Sequence, residues 1–590
     1  MLNIWNKKAW IFIPMLIIIA IVPLIVCLKM VNLSGIAYDA WPARNVNLDF
    51  FSYYKANWIV IFSTIGWFIF LFKVKKFEES KNENYYIPLF IMVILVVIST
   101  MLSPFREIAL KGVADRYESA WVLVSYFLIT IILMNTIEKV DEVKLFIKAF
   151  FLSCIIIGII GILQYFGADI FKSDFGSSLI VPDAIEKTVG KLSFRFGAYT
   201  IYSTLYNTNY VGSYMVMAFM VIIPLYLTAK NILWRIGSSL ILFLVFSNWI
   251  GCRSRAGIIG GIFAFIIMGI IMRKTIVKEW KKLIVAIIVS AFIFLGMDYA
   301  SGWTLSGKYS TLKNEAGGVS TEKGLKDITV EGNKIIIEKY NFKPFVISLN
   351  YDKQELILSG INGEKIPYKL EQNKILIEEK GYEKYSVTLV DQSRLELRTD
   401  RGKIELQVNK DEIFYLNNKG EKEEFKSISK IDRIKALDGK EQKGSGRIYI
   451  WSRTIPVLKN YLLFGSGPDT FSLRFPQYDR VGKLVTWGDP DIIVDKPHNM
   501  YLQMAVNTGI LFLVTFLVLI GWYFIESFKI YFNSDFSKFE HIVGAGLFFA
   551  VIGYCGAGFF NDSLVSVAPV FWSLLGIGIA VNKINKIKRI

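Results

Sequence analysis

Trp10-Ile-Phe-Ile-Pro-Met-Leu-Ile-Ile-Ile-Ala-Ile-Val-Pro-Leu-Ile-Val-Cys27 contains no charge over its whole length. As a helix rising ~1.5 Å per residue, a run of this size approaches the ~30 Å of a bilayer's hydrocarbon core. Lys7 and Lys8 precede it and no small-residue cleavage pattern follows, so it reads as a membrane helix and not as a removable signal. Similar runs recur at 57–72, 86–102, 120–134, 148–166, 209–228, 236–252, 256–272, 283–299, 499–525, 541–560 and 564–581. The expected fold class is an all-α polytopic membrane protein of about twelve transmembrane helices.

Composition agrees. Of 590 residues, 53% are hydrophobic and 15% aromatic. Ordinary soluble domains hold about 45–50% apolar residues, and disordered chains are poor in aromatics. Lys and Arg number 67 against 50 Asp and Glu, a formal charge of 67 − 50 = +17. In a membrane protein this excess belongs to cytoplasmic loops, so no nucleic-acid partner is inferred. The four cysteines, Cys27, Cys154, Cys252 and Cys555, lie in or beside apolar runs, without a C-x-x-C, and signal neither disulfides nor zinc. His498 and His541 are the two histidines.

Lysine and arginine mark alternate loops: Lys73 to Lys81, Lys139 to Lys148, Lys230 and Arg235, Arg273 to Lys282, Lys529 and Lys538, and the tail Lys583 to Arg589. The positive-inside rule then puts both termini in the cytoplasm, as an even number of spans requires. Segments 167–208 and 300–498 fall outside the cytoplasmic membrane. The expected organisation is helices 1–9 over 1–300, an outer loop over 301–440, a second outer segment over 441–498, and helices 10–12 over 499–590.

From about 320 to 430 the pattern alternates with period two. Asn333-Lys-Ile-Ile-Ile-Glu, Phe345-Val-Ile-Ser-Leu, Glu355-Leu-Ile-Leu, Lys374-Ile-Leu-Ile-Glu, Tyr385-Ser-Val-Thr-Leu, Arg394-Leu-Glu-Leu-Arg and Lys403-Ile-Glu-Leu-Gln-Val read as strands. Gly332-Asn333, Asn362-Gly363 and Arg401-Gly402 supply turns. An extracytoplasmic antiparallel β insert is expected, self-contained, acting as a spacer or as a module that binds glycan or a partner.

Ionisable groups at membrane depth are costly and mark functional sites. Four places qualify. Gly251-Cys-Arg-Ser-Arg-Ala-Gly257 sets Arg255 at the outer end of a span, where it either snorkels to the interface or clamps an anion through its bidentate fork. Ser445-Gly-Arg-Ile-Tyr-Ile-Trp451 carries Arg447 on a strand or a short surface helix, and Gly465-Ser-Gly467 after it lacks the lysine of a nucleotide loop. Lys496-Pro-His-Asn499 puts His498, a side chain able to act as a base near neutral pH, at the mouth of a span. Two further outer loops carry Gly112-Val-Ala-Asp-Arg-Tyr-Glu118 with Arg116, and Arg195 with Asn207-Thr-Asn209, whose amides either bind sugar hydroxyls or cap the next helix.

These features resemble the O-antigen ligase and O-antigen polymerase superfamily of envelope glycan enzymes, over roughly 85–300 and 440–582. The most specific part is His498-Asn499, nine residues, then Gly509. Phe512 stands where the ligases carry Gly, Thr or Tyr, which favours the wider superfamily over the ligases themselves. The resemblance implies a glycosyltransferase without metal or cofactor. Its donor would be a glycan on a polyprenyl diphosphate in the lipid bilayer. Its acceptor would be another glycan, a lipid, a wall polymer or a protein. It implies Arg255 and Arg447 on the diphosphate and His498 on the acceptor hydroxyl. Arg116, Arg195, Asn207, Asn209, Asn499 and Asp562 are the expected substrate-binding residues, Asp562 as an orienting group for a ligand or for His498. A transporter or flippase of envelope glycolipid, and a scaffold using the β insert, are the competing readings. A transporter predicts related halves with charged or broken helices at mid-membrane, whereas the polar clusters here gather at one face.

The orientation is directly testable. A cysteine placed at Lys353 should react with an impermeant thiol reagent in intact cells. Failure there, with labelling of a cysteine at Lys274, would invert the topology.

Overall fold

The computed structural model describes residues 9–39, 45–73, 83–183, 196–307, 324–350, 355–380, 385–391, 393–409 and 412–587, together with Leu192, Phe194 and Tyr382. A helix lies on each of the twelve apolar runs. Eight of these helices, among the described residues, are long and apolar enough to cross a membrane. Ala120–Thr136 and Arg255–Ile271 are shorter. The first run is not one continuous span. Its α-helix Ile13–Ala20 ends ahead of Pro23, which has no N–H to continue it, and a single 3₁₀ turn Val22–Leu24 follows.

Two hydrophobic helices sit at the centre with almost no outward face. Thr208–Thr228 and Phe539–Ala557 are each 89% buried along their apolar windows. Ala568–Ile587 is buried almost throughout beside them. Arg255–Ile271 packs onto Phe539–Ala557 by close backbone approach: a Cβ on Gly260 would lie 2.1 Å from the Gly553 carbonyl oxygen. Membrane helices associate through small residues in this way because lipid provides no hydrophobic drive between them. The approach sets where Arg255, the first residue of that helix, stands relative to the turn that follows Ala557.

The expected span 499–525 is in fact two helices, Met500–Thr508 and Ile510–Tyr531. Gly509 separates them at φ +92, and a Cβ there would fall 2.0 Å from the Leu463 carbonyl oxygen. Hydropathy runs on through this break because it senses side chains and not backbone angles.

Outside the helices a two-stranded ribbon pairs β1 (Lys29–Asn32) with β2 (Val46–Asp49). The β insert forms two antiparallel sheets. One runs in order through β3 (Leu325–Glu331), β4 (Lys334–Lys339), β5 (Phe345–Asn350) and β6 (Glu355–Gly360). The other is a seven-stranded meander of β7 (Tyr368–Glu371), β8 (Lys374–Ile377), β9 (Ser386–Leu389), β10 (Arg394–Arg398), β11 (Lys403–Val408), β12 (Ile413–Leu416) and β13 (Lys422–Glu424). All seven predicted strands are present. β3, β7, β12 and β13 escaped the pattern, three of them because three or four residues show too little alternation. Leu395 pairs with Leu389 and Leu406, and Leu406 with Tyr415, a row facing the common core.

That core is not self-contained. Helix Arg480–Trp487, from the later outer segment, buries Val481 and Leu484 completely among the strands. Arg480 fastens it with a two-pronged contact to Glu423 of β13 at 2.6 and 3.0 Å and another to Asp491 at 3.0 Å. A fragment 318–430 should therefore keep β-type circular dichroism yet melt well below the same fragment joined by a linker to 479–488. Equal melting temperatures would show the helix to be a passive passenger.

Candidate functional site

The site is organised by the turn after helix Phe539–Ala557. Within six residues, successive groups of this turn reach successive parts of the protein. The Gly558 carbonyl accepts from Met500 N, at 2.8 Å. The Phe559 carbonyl accepts from the Asn499 amide at 3.1 Å, and the Phe560 carbonyl from Arg447 Nε at 3.1 Å. Asn561 donates to the Ser213 hydroxyl at 3.0 Å and to the Asn209 carbonyl at 3.3 Å. Asp562 follows, and then Ser563, whose hydroxyl donates to Glu118.

Asp562 is the centre. One oxygen, Oδ2, accepts from Arg116 Nη1 at 2.9 Å and from the Tyr210 hydroxyl at 2.7 Å. The other, Oδ1, lies 3.6 Å from His498 Nδ1. Lys496 approaches from the same loop, its ammonium 3.4 Å from the Tyr210 hydroxyl. Burial alone would raise the Asp562 carboxyl, but Lys496, His498 and Arg116 outweigh it and hold it well below the usual range. Asp562 therefore stays an anion although its side chain is fully buried.

His498 sits at φ +49, a left-handed conformation that costs a non-glycine residue of order 1–3 kcal/mol and persists where surroundings impose it. Asn499 shows how. Its side chain caps helix Met500–Thr508 by accepting from Tyr501 N and Leu502 N, each at 3.0 Å. The helix then runs to Thr508 and stops at Gly509. The spacing of the histidine motif is thus one cap, one helix and one positive-φ hinge. Gly465-Ser-Gly467 braces that helix, with Ser466 N and Gly467 N donating to the carbonyls of Val506 and Asn507 at 2.9 Å. The His498 side chain is 28% exposed, so one edge stays open. Burial depresses its pKa; Asp562 pulls it up, and Lys496 and Arg447 push it down, leaving it below its ordinary 6.5. At neutral pH the imidazole is uncharged and free to accept a proton.

Arg447 and Arg255 each occupy the first position of a helix. Gly446 at φ +84 turns the chain into helix Arg447–Val457, and a Cβ there would meet the Trp487 ring at 2.5 Å. Nε and Nη1 of Arg447 are held by the Phe560 and Gly444 carbonyls. Among the described residues it makes no ion pair. Ser254 caps helix Arg255–Ile271 and donates to the Asn209 side chain at 3.2 Å. Burial, then the Arg255 charge, lower the Arg447 pKa, with Asp562 opposing. The two guanidinium groups thus feel one another, a repulsion that an anion between them would relieve.

The structure brings together Arg255, Arg447, His498 and Asp562, read from four distant places in the chain. Arg116 is buried, with Nε on Asp469 and Nη1 on Asp562, both at 2.9 Å. Asn207 and Asn499 spend their side-chain oxygens on helix caps, and Asn209 holds Ser254. Arg195 lies outside the described residues. Lys496, Tyr210, Asp469 and Glu118 were not singled out as site residues. Lys496, inside the quoted Lys496-Pro-His-Asn499, carried a signal by adjacency, whereas Tyr210 and Asp469 carried none. Burial pushes Glu118 up to about 7, against Arg116 and the Ser563 hydroxyl. Among the described residues, no three His, Cys, Asp or Glu side chains gather in a metal-binding group.

A family model described as O-antigen ligase matches residues 407–517. This stretch is similar to the O-antigen ligase family. It contains Arg447, Gly465-Ser-Gly467, His498-Asn499, Gly509 and Phe512, so the resemblance to the O-antigen ligase and polymerase superfamily is borne out there. It begins in β11 of the insert and ends inside helix Ile510–Tyr531. Phe512 is buried and its ring lies 6.1 Å from Phe127. No curated protein and no solved structure matches the chain.

His498 titration can be followed by its carbethoxylation rate against pH in a His541→Gln background, which leaves one histidine. The midpoint should lie below 6.5. Asp562→Asn removes a charge that raises it and should move the midpoint lower still. Lys496→Met removes a charge that lowers it and should move the midpoint up. Shifts of the opposite sign would mean that the Asp562–His498–Lys496 arrangement is wrong.

Proposed function

We propose that the protein transfers a glycan from a polyprenyl-diphosphate carrier to an acceptor hydroxyl at the outer face of the cytoplasmic membrane. The observation that carries this reading is the meeting of Arg447 and His498 at the turn 558–563, with the charge of Arg255 felt at Arg447. An uncharged imidazole with one open edge stands beside the Arg447 guanidinium, which in turn feels the charge of Arg255. The acceptor oxygen attacks the anomeric carbon and gives its proton to His498. The bond between that carbon and the diphosphate oxygen breaks, and the diphosphate leaves with the electron pair. Negative charge grows on the leaving oxygen, where fixed guanidinium donors at the ends of two helices favour it. Asp562 steadies the imidazole and the imidazolium that forms, itself braced by Arg116 and Tyr210. The energy comes from the diphosphate bond, so no sugar nucleotide is needed outside the cell.

Purified protein should convert a synthetic polyprenyl-diphosphate oligosaccharide into product. A ladder marks a polymerase, and a single shifted acceptor marks a ligase. His498→Ala should lower kcat by about 10²–10⁴-fold with donor binding nearly intact, the usual contribution of a general base. Arg255→Lys and Arg447→Lys should both be poor, because lysine keeps the charge and loses the fork. Full activity in His498→Ala would overturn the reading.

A further inference from the structure

The stretch Arg116-Tyr117-Glu118 grips the turn 558–563 twice. Arg116 reaches Asp562, and Glu118 reaches the next residue, Ser563. Tyr117 between them stands at φ +49, in the left-handed region, a conformation that persists only where the surroundings impose it. The transfer steps above use Arg116 as a brace and leave Glu118 without a part.

Glu118 is buried and serves three donors, each of them uncharged. Its Oε1 accepts from the Ser563 hydroxyl and, at 3.3 Å, from the Tyr126 hydroxyl. Its Oε2 accepts from the Gln503 amide at 2.6 Å. The orientation of that amide is fixed from its other side. The Gln503 side-chain oxygen accepts from Ser563 N at 2.8 Å, and a backbone N–H can only donate. The amide nitrogen must therefore face Glu118, and it also donates to the Ser563 carbonyl at 3.3 Å. Glu118, Gln503 and Ser563 form a closed ring of hydrogen bonds whose directions are set. A donor placed at Glu118 Oε2 would face the Gln503 NH₂, and two buried donors would go unmatched.

The ring ties together the two carriers of the site. Gln503 stands on helix Met500–Thr508, which directly follows His498-Asn499, and Ser563 directly follows Asp562. His498 Nδ1 and Asp562 Oδ1 lie 3.6 Å apart, past hydrogen-bond range, so their spacing is set by the elements that carry them and not by a bond of their own. We propose that Glu118 is a positioning residue of the transfer reaction: by orienting the Gln503 amide and holding the Ser563 hydroxyl, it keeps the helix behind His498 in register with the turn that carries Asp562. The proposal rests on the glycan-transfer reading above, in which His498 takes the acceptor proton and Asp562 steadies it.

The test exchanges the two partners in the full chain. Glu118→Gln alone sets amide against amide, and Gln503→Glu alone sets carboxylate against carboxylate. In the double variant Glu118→Gln/Gln503→Glu the ring closes again: the carboxylate at 503 accepts from Ser563 N and from the amide at 118, whose oxygen accepts the Ser563 hydroxyl. Transfer is assayed at about pH 8, where Glu118, which burial pushes up to about 7, is charged. Each single variant should lower kcat about tenfold or more, as misplacement of a reacting group does, with donor KM within about twofold. The double variant should recover to within about threefold of wild type. A double variant that is folded, with a melting temperature like that of wild type, but no more active than the worse single variant would overturn the proposal, as would full activity in Glu118→Gln.

A second measurement needs no transfer. In the His541→Gln background, Asp562→Asn lowers the midpoint of His498 carbethoxylation, and that shift reports how closely the two side chains are held. Glu118→Gln should shrink the shift to less than about half; an undiminished shift would overturn the proposal. Wild-type protein that transfers nothing would sink the glycan-transfer reading, and the shift would still decide whether Glu118 sets His498 against Asp562.

Discussion

Asp562 is a buried carboxylate that must remain charged. Taking an ion out of water costs several kcal/mol even after relaxation, and only close, well-oriented partners offset that cost. Here the partners are Arg116, Tyr210, Lys496 and His498, contributed by three segments that are hundreds of residues apart in the extreme case. Removing any one leaves a group in the interior without its complement. The helix ends on this side are therefore pinned to one turn, and the position of His498 follows from the pinning. Arg116 carries the same constraint outward to Asp469 and the loop 112–117.

A second constraint is steric. Where Gly260 meets Gly553, and where Gly509 meets Leu463, no side chain fits. The first contact sets the depth of helix Arg255–Ile271 and so the height of Arg255. The second bends the chain between Met500–Thr508 and Ile510–Tyr531 and so turns His498 toward the turn 558–563. Charge pairing chooses the partners at this end of the helices, and close backbone packing sets their distances. The combination gives a rigid frame around two guanidinium groups and one imidazole, as catalysis by fixed dipoles demands.

The insert belongs to this frame more closely than its alternating pattern suggests. Helix Arg480–Trp487, from the segment between Arg447 and His498, fills its core, and Lys419 rests on Tyr38. The family match likewise ignores the boundary, starting in β11 and continuing through Arg447 and His498. A β module threaded into a loop has become part of the structure over these helix ends.

The sequence by itself determined the elements. Apolar runs long enough to cross hydrocarbon predicted a helix at every one of twelve places, and period-two alternation predicted seven strands, because both signals are local side-chain properties. It also determined which residues are chemically able: Arg255, Arg447 and His498 stood out because charge and imidazole are conspicuous beside apolar runs. Local patterns did not show the break at Gly509, which is a matter of backbone angle inside an unbroken apolar run. Nor did they show Val481 and Leu484 closing a sheet that ends about sixty residues earlier. Only the tertiary structure decided that Arg116 braces Asp562, that Tyr210 and Lys496 join it, and that Asn207 and Asn499 are caps. A buried charge is defined by what surrounds it, and what surrounds it comes from parts of the chain that no window of sequence holds together.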